Sequence, residues 1–247
     1  MTHSQLERRV RHLTHYAVGL TLLLLVLVLG AFGYTTTRFE VIEVERINVV
    51  EPDGRVSLVI SNAARIPGPV FGGEELPREM ARGRAGSSGI VFYNAEGTES
   101  GGLVTQTAVT DSGYVAYGKL AFDQFNQDQA VEMTYSDVEG EGYAGVFVYD
   151  NPSVPLIELV RASEAFESGS ASERATARAL LEGLEVAPQT QRLFVGKEGD
   201  TSLLVMNDRQ GRTRIRMVVT DDGTPVLDFL DEDGSLLQRL PHHESTR

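Results

Sequence analysis

From Ala17 to Thr37 the chain runs 21 residues without a charged side chain, centred on an unbroken Leu and Val stretch from Leu22 to Leu29. At the helical rise such a run spans roughly 30 Å, the depth of one hydrocarbon core. A helix buried in a protein core keeps a polar stripe; here only Thr21 and scattered glycines interrupt the apolar residues, which predicts a transmembrane helix over residues 17–37. A retained signal anchor is favoured over a signal peptide cleaved after Val28-Leu29-Gly30, because the run is long and a 16-residue leader precedes it. Leu6, Val10, Leu13 and Ala17 recur at helical spacing, so the helix is expected to begin within the leader, residues 1–16. The same stripe leaves open a short coiled coil joining protomers, and with it a homo-oligomer.

Beyond the helix the period changes to two. Phe39 to Val49 alternates apolar with polar side chains, a turn follows at Glu51-Pro52-Asp53-Gly54, and Arg55 to Ile60 returns as a second strand. With Pro52 and Asp53 as the central turn residues, Val49 is expected to face Val56 and Ile47 to face Leu58. The same phrase recurs at Ile90 to Gly97, Leu204 to Gly211 and Leu227 to Gly234, at irregular spacing. In the last repeat a loop of Asp221-Asp222-Gly223 sets Met217 against Leu227, Ile215 against Phe229 and Arg216 against Asp228, whereas a one-residue slip would put Met217 on Asp228.

The fold class expected is therefore mainly β: one N-terminal transmembrane helix, then an antiparallel β-meander over residues 38–247 forming a sandwich or an open barrel. Two insertions interrupt it. Residues 61–89, broken by Pro and Pro-Gly and carrying Arg65, Arg78, Arg82 and Arg84, read as a long surface loop. Residues 161–188 read as one inserted helix covering an end or edge of the sheet, with Ser170 and Glu173 at capping-box spacing.

Charge and composition narrow the function. The net charge is −13, and the first 37 residues are positive, so the rest carries −15 with Lys119 and Lys197 as its only lysines. No nucleic-acid partner is expected of such a surface. Arg8, Arg9 and Arg11 outweigh Arg38 and Arg46 across the apolar run, which puts the N-terminus in the cytoplasm and the β domain outside, in a cell membrane crossed once. There is no Cys, and the five His lie at positions 3, 12, 15, 242 and 243, so thiolate chemistry and His-based triads or zinc sites are closed to the β domain unless a tail folds back.

Motif matches add little. Gly140 to Gly145 spells GxGxxG but leads into a strand rather than a helix, and Gly113 to Lys119 spells GxxxxGK with Leu120 where a phosphate loop needs Ser or Thr. Asp231-Glu232-Asp233-Gly234 lacks the first and closing ligands of a calcium loop and reads as a hairpin turn. No cofactor and no metal site is expected. Two polar clusters remain as candidate binding residues: Asn94, Glu96 and Glu99, and Asp123, Gln124, Asp128 and Gln129. Amide- and carboxylate-rich turns of this kind often cap their own backbone. If the two hairpins adjoin, their carboxylates would instead converge as acid and base or as oxygen ligands.

The run Arg46 to Gly54, Ser61-Asn62, Pro67-Gly68, Phe92 to Leu103 and Phe122-Asp123-Gln124 resembles a family of uncharacterised bacterial proteins that begin with a membrane or signal segment. The likeness covers roughly residues 40–150 and implies a bacterial source, with no activity attached. Two functions are carried forward: a single-pass membrane-anchored protein whose extracytoplasmic β domain binds or scaffolds a protein or glycan partner, and, as the alternative, a carboxylate-dependent glycan hydrolase. The second would pair Glu96 or Glu99 with Asp123 or Asp128, at roughly 5 Å for retention or 6.5–9.5 Å for inversion.

Overall fold

A computed structural model describes residues 3–31, 38–76, 84, 86–111, 113–185, 187 and 189–241. The end of the expected membrane span, Arg78 and Arg82 of the loop insertion, and His242 and His243 lie outside these residues. The chain divides into two compact units, residues 1–43 and 44–247.

The first unit is the helix α1 (His3–Ala31). It starts within the leader, as the Leu6 stripe predicts, and its 29 residues rise through roughly 44 Å. The helix is long and apolar enough to cross a membrane, a property that signal sequences share.

The second unit is mainly β. Twelve strands form one antiparallel sheet in strict chain order: β1 (Arg46–Val50), β2 (Val56–Ser61), β5 (Ser88–Tyr93), β6 (Glu99–Thr110), β7 (Gly113–Asp123), β8 (Gln129–Val138), β9 (Glu141–Asp150), β10 (Thr190–Glu198), β11 (Thr201–Asn207), β12 (Thr213–Val219), β13 (Pro225–Leu230) and β14 (Leu236–Leu240). A two-stranded ribbon of β3 (Val70–Phe71) and β4 (Glu74–Glu75) sits in the loop insertion. β1 and β14 each pair on one side only, so the sheet is open.

Register follows the apolar pattern. The β12–β13 pairing is the expected one, with Met217 on Leu227, Ile215 on Phe229 and Arg216 on Asp228. The first hairpin departs from expectation by two residues: Val49 faces Leu58 and Ile47 faces Ile60. Gly54, at φ 86°, adds one residue beyond the turn, and a bulge opposite Val49 and Val50 adds another. A slip of two preserves the side-chain face, so the error in register costs nothing in burial.

Tracing the pairs across the sheet assigns the paired strand residues to one of two faces. One face is apolar from edge to edge, with Ile47 and Val49, Leu58 and Ile60, Ile90 and Phe92, Leu103, Leu120 and Phe122, Val131 and Met133, Val146 and Val148, Leu193 and Val195, Leu204 and Met206, Ile215 and Met217, Leu227 and Phe229, and Leu240. The other is mixed, and the fully buried side chains of the large sheet lie on it: Val59, Val91, Ala121, Phe194 and Asp228. Gly145 belongs there too, because a Cβ would stand 2.3 Å from the Phe194 ring.

Between β9 and β10 the expected single helix is two, α2 (Leu156–Ser168) and α3 (Ala171–Glu182). Gly169 is extended at ψ 171°, which ends α2, and Ser170 begins α3 with the anticipated capping box to Glu173. The two helices pack on one another, with Leu159, Ala162 and Ala177 buried.

Candidate functional site

In a meander, alternate connections fall at the same end of the sheet. The β5–β6 turn, the β7–β8 turn and the β9–β10 insertion therefore share one end, and the two polar clusters expected from sequence meet there.

Asn94, Gln124 and Asp128 bond to backbone, and Glu96, Glu99 and Gln129 to other side chains. Asn94 Oδ1 accepts from the N–H groups of Glu96 at 2.9 Å and Thr98 at 3.1 Å, closing its own turn around Gly97 at φ 75°. Its Nδ2 donates to Asn126 Oδ1 at 2.9 Å, and Asn126 Nδ2 donates to Glu96 Oε2 at 2.6 Å. Asn126 thus bridges the two hairpins, from a left-handed position at φ 54°.

The remaining amides reach the insertion. Gln124 Nε2 donates to Pro152 O at 3.2 Å, and the buried Gln127 donates to Val154 O at 2.7 Å. Asn151 Nδ2 donates to Asp128 O and Gln129 O, its Oδ1 accepts from the Gln189 N–H, and Gln189 Nε2 donates to Gln129 Oε1. Leu156 N donates to Asn126 O at 2.8 Å, giving one of the unpaired N–H groups at the start of α2 a partner. Asp128 Oδ1 accepts from the Gln129 N–H at 2.9 Å. The amides act as struts that hold both ends of the helical insertion to the sheet. Asn126, Gln127, Asn151 and Gln189 were not singled out in the sequence, although the first two lie inside the amide-rich run.

The carboxylates divide differently. Glu99 is ion-paired to Arg84, and Arg84 also donates to the carbonyls of Pro67 and Gly68, tying the loop insertion to the start of β6. Asp123, at the end of β7, has Oδ1 buried with no hydrogen-bond partner among the described residues. Burial first, then the charges of Glu99 and Asp128, push its carboxyl up to about 7, with Lys119 and Arg84 opposing. Burial and the neighbouring Glu99 likewise push the Tyr93 hydroxyl above its ordinary range. Lys119 and Glu132 lie 3.6 Å apart on the same mixed face.

Such a cluster can exchange a proton at Asp123 near neutral pH. It does not present an obvious metal cage: among the described residues no three His, Asp or Glu side chains are grouped to hold an ion. Two concavities lie elsewhere. One, of about 450 Å³, is lined by Val195, Leu204, Met217, Val219, Leu227 and Leu240 on the apolar face. The other, of about 140 Å³, lies between Tyr135, Gly140, Lys197 and Asp200.

The apolar face is the larger feature that the sequence reading passed over. Ile47, Val49, Ile60, Leu103, Phe122, Met133, Tyr135, Val195, Met206, Met217 and Val219 are between 39% and 56% exposed. Most of these have lateral neighbours on both sides, so exposure of that size means that no described residue of the unit lies over them. The signal was available in the alternation itself, which implies an apolar face on every strand; what covers that face is not written in the alternation.

Comparison with protein-family models, with curated proteins and with solved structures gave no match to this chain. Functional inference therefore stands on the geometry.

Proposed function

We propose that the protein is a single-pass membrane-anchored binding or scaffolding protein of the bacterial cell membrane. In this proposal α1 spans the bilayer with its N-terminus in the cytoplasm, the β domain stands outside, and its apolar sheet face engages a protein surface. The observation that carries the proposal is that face. At roughly 200 Å² per large apolar residue, the eleven exposed side chains leave on the order of 1,000 Å² of apolar surface, above the 300–600 Å² patches of ordinary monomers.

The test is photocrosslinking in intact membranes, with a benzophenone amino acid placed at Leu103 or Met206 on the apolar face and at the exposed Glu232 in a turn. Protein adducts from the two face positions and none from Glu232 are expected; equal yields from all three would overturn the proposal. Carbonate extraction and external proteolysis test the anchor and its orientation, the expected outcome being a membrane pellet and a digestible β domain.

A carboxylate-based glycan hydrolase has one observation in its favour, the Asp123 carboxyl held near neutrality beside Glu99. It ranks second because Glu99 is occupied by Arg84 and the neighbouring amides hold structure in place. Release of sugar from a glycan panel by the purified chain, lost in Asp123→Asn, would restore it.

A further inference from the structure

Resting on the proposal that the apolar face is a docking surface, we infer that its occupant is a second copy of this chain, packed face to face across a two-fold axis. Area, charge and shape favour that partner.

The first is area. A stable association buries about 800 Å² on each partner, and the eleven exposed side chains alone supply on the order of 1,000 Å². A small ligand would use a fraction of it, and the 450 Å³ concavity on this face is a shallow groove within the larger surface.

The second is charge. The chain carries −13 overall, so any two copies repel at a distance. The rows through Leu103, Met133, Val195 and Met217 and through Phe122, Val131, Leu193 and Met206 carry no charged side chain; the ladder places Asp228, Glu132 and Lys119 on the opposite face, and Lys197 and Asp137 on the apolar face beyond those rows, toward the β8–β9 turn. Two copies that meet over those central rows bury no unpaired charge, with Lys197 and Asp137 left at the rim. Lys197 is the one Lys or Arg that the pairing places on this face, which disfavours a phospholipid surface, since amphipathic elements grip one with several basic side chains around an apolar patch.

The third is relief. Phe122 and Met133, 52% and 56% exposed, stand on β7 and β8, whereas the groove formed by Leu204, Met217 and Leu227 lies on β11 to β13. A two-fold contact is self-complementary, so the exposed Phe122 and Met133 of one copy meet the groove of its partner and the reverse holds at the same time. Two single sheets packed in this way make a sandwich with its interior about 10 Å thick, the ordinary arrangement that a lone sheet lacks.

The absence of cysteine makes the test clean. Full-length chains bearing different tags are co-expressed, each with one cysteine, at Met133→Cys in one and Met217→Cys in the other, and membranes are treated with a bismaleimide of about 10 Å reach. Glu232→Cys in both chains controls for random encounter. The expected result is a doubly tagged band of twice the chain mass, at least tenfold stronger than the control. It should fall to the control level when Leu103→Asp is added to both chains. Leu103 is 42% exposed, so that variant is expected to melt as the parent does; should it unfold, Leu103→Ser serves in its place. Adducts only to proteins of other masses would overturn self-pairing and leave the docking surface standing. No adduct, with the face cysteines reacting with a water-soluble maleimide as fast as Glu232→Cys, would overturn both.

Discussion

Asp228→Asn tests how the C-terminal edge of the sheet is held. Asp228 is fully buried on β13, and its carboxylate accepts three hydrogen bonds: from Arg216 on β12 at 2.7 Å, and from Arg239 on β14 at 2.6 and 3.0 Å. One side chain therefore ties three adjacent strands. An asparagine keeps one oxygen but turns an NH₂ donor toward a guanidinium, so one bond is lost and the other two keep a charged donor but lose the charged acceptor. Charge-assisted bonds contribute about 1.5–3 kcal/mol each against about 0.5–1.5 for neutral ones. The arginines are 46% exposed and can turn to water, which reduces the loss to about 2–3 kcal/mol. For a domain of this size that lowers Tm by roughly 5–10 °C, read by circular dichroism on the full chain in detergent.

The pH dependence sharpens the test. The two arginines hold the Asp228 carboxyl down at about 2, below its unfolded value of 3.8. A depressed carboxylate stabilises the fold above the unfolded pKa and loses that contribution as pH falls through the folded one. The gap between parent and variant should stay constant above pH 4 and close between about 4 and about 2. A Tm loss under 1 °C at pH 7, or a gap that persists to pH 2, would refute the reasoning.

Asp123 has the opposite sign: its carboxyl is pushed up to about 7, so the folded chain holds a proton that the unfolded chain releases, and the parent loses stability between about pH 4 and 7. Asp123→Asn should remove that loss, melting higher than the parent at pH 8 and level with it at pH 4; a lower melt at pH 8 would count against the burial described. Gly145→Ala drives a Cβ to 2.3 Å from the Phe194 ring and 2.8 Å from Val195 O, and is expected to cost about 1–3 kcal/mol in urea unfolding with an unchanged slope. Ser170→Ala removes the α3 cap at a cost of about 1 kcal/mol. In NMR titration the Glu173 carboxyl, held below its ordinary range by its bonds to Ser170, should then move upward.

The register of β12 and β13 was legible because Asp221-Asp222-Gly223 fixes the loop length and only one parity puts Met217 on Leu227. The first hairpin was legible in face but not in register, since a bulge beside Val49 leaves no mark on an alternating pattern. The meeting of the polar clusters was legible from topology. What their amides do was not, because Gln127 and Gln124 bond to carbonyls 27 and 28 residues away, beyond the reach of local pattern. The state of Asp123 rests first on its burial and then on the charges of Glu99 and Asp128, and no spacing in the chain encodes how deeply a strand-end carboxyl is buried. The open apolar face was implied by every strand, yet a sandwich was expected because alternation specifies an inside without specifying whose chain supplies its other wall.

Strict chain order in the large sheet bears on how the molecule is made. Each strand pairs with one that has already emerged, apart from the two-residue ribbon in the loop insertion, so no late segment must thread back between earlier ones. The sheet behaves as a one-dimensional array in which stability accumulates strand by strand. Loop closures between neighbours stay short except at the 61–89 and 151–189 insertions, which keeps the entropic barrier to pairing low. A chain that emerges from the ribosome in sequence order adds each strand to a neighbour already made, with β14 joining the array last.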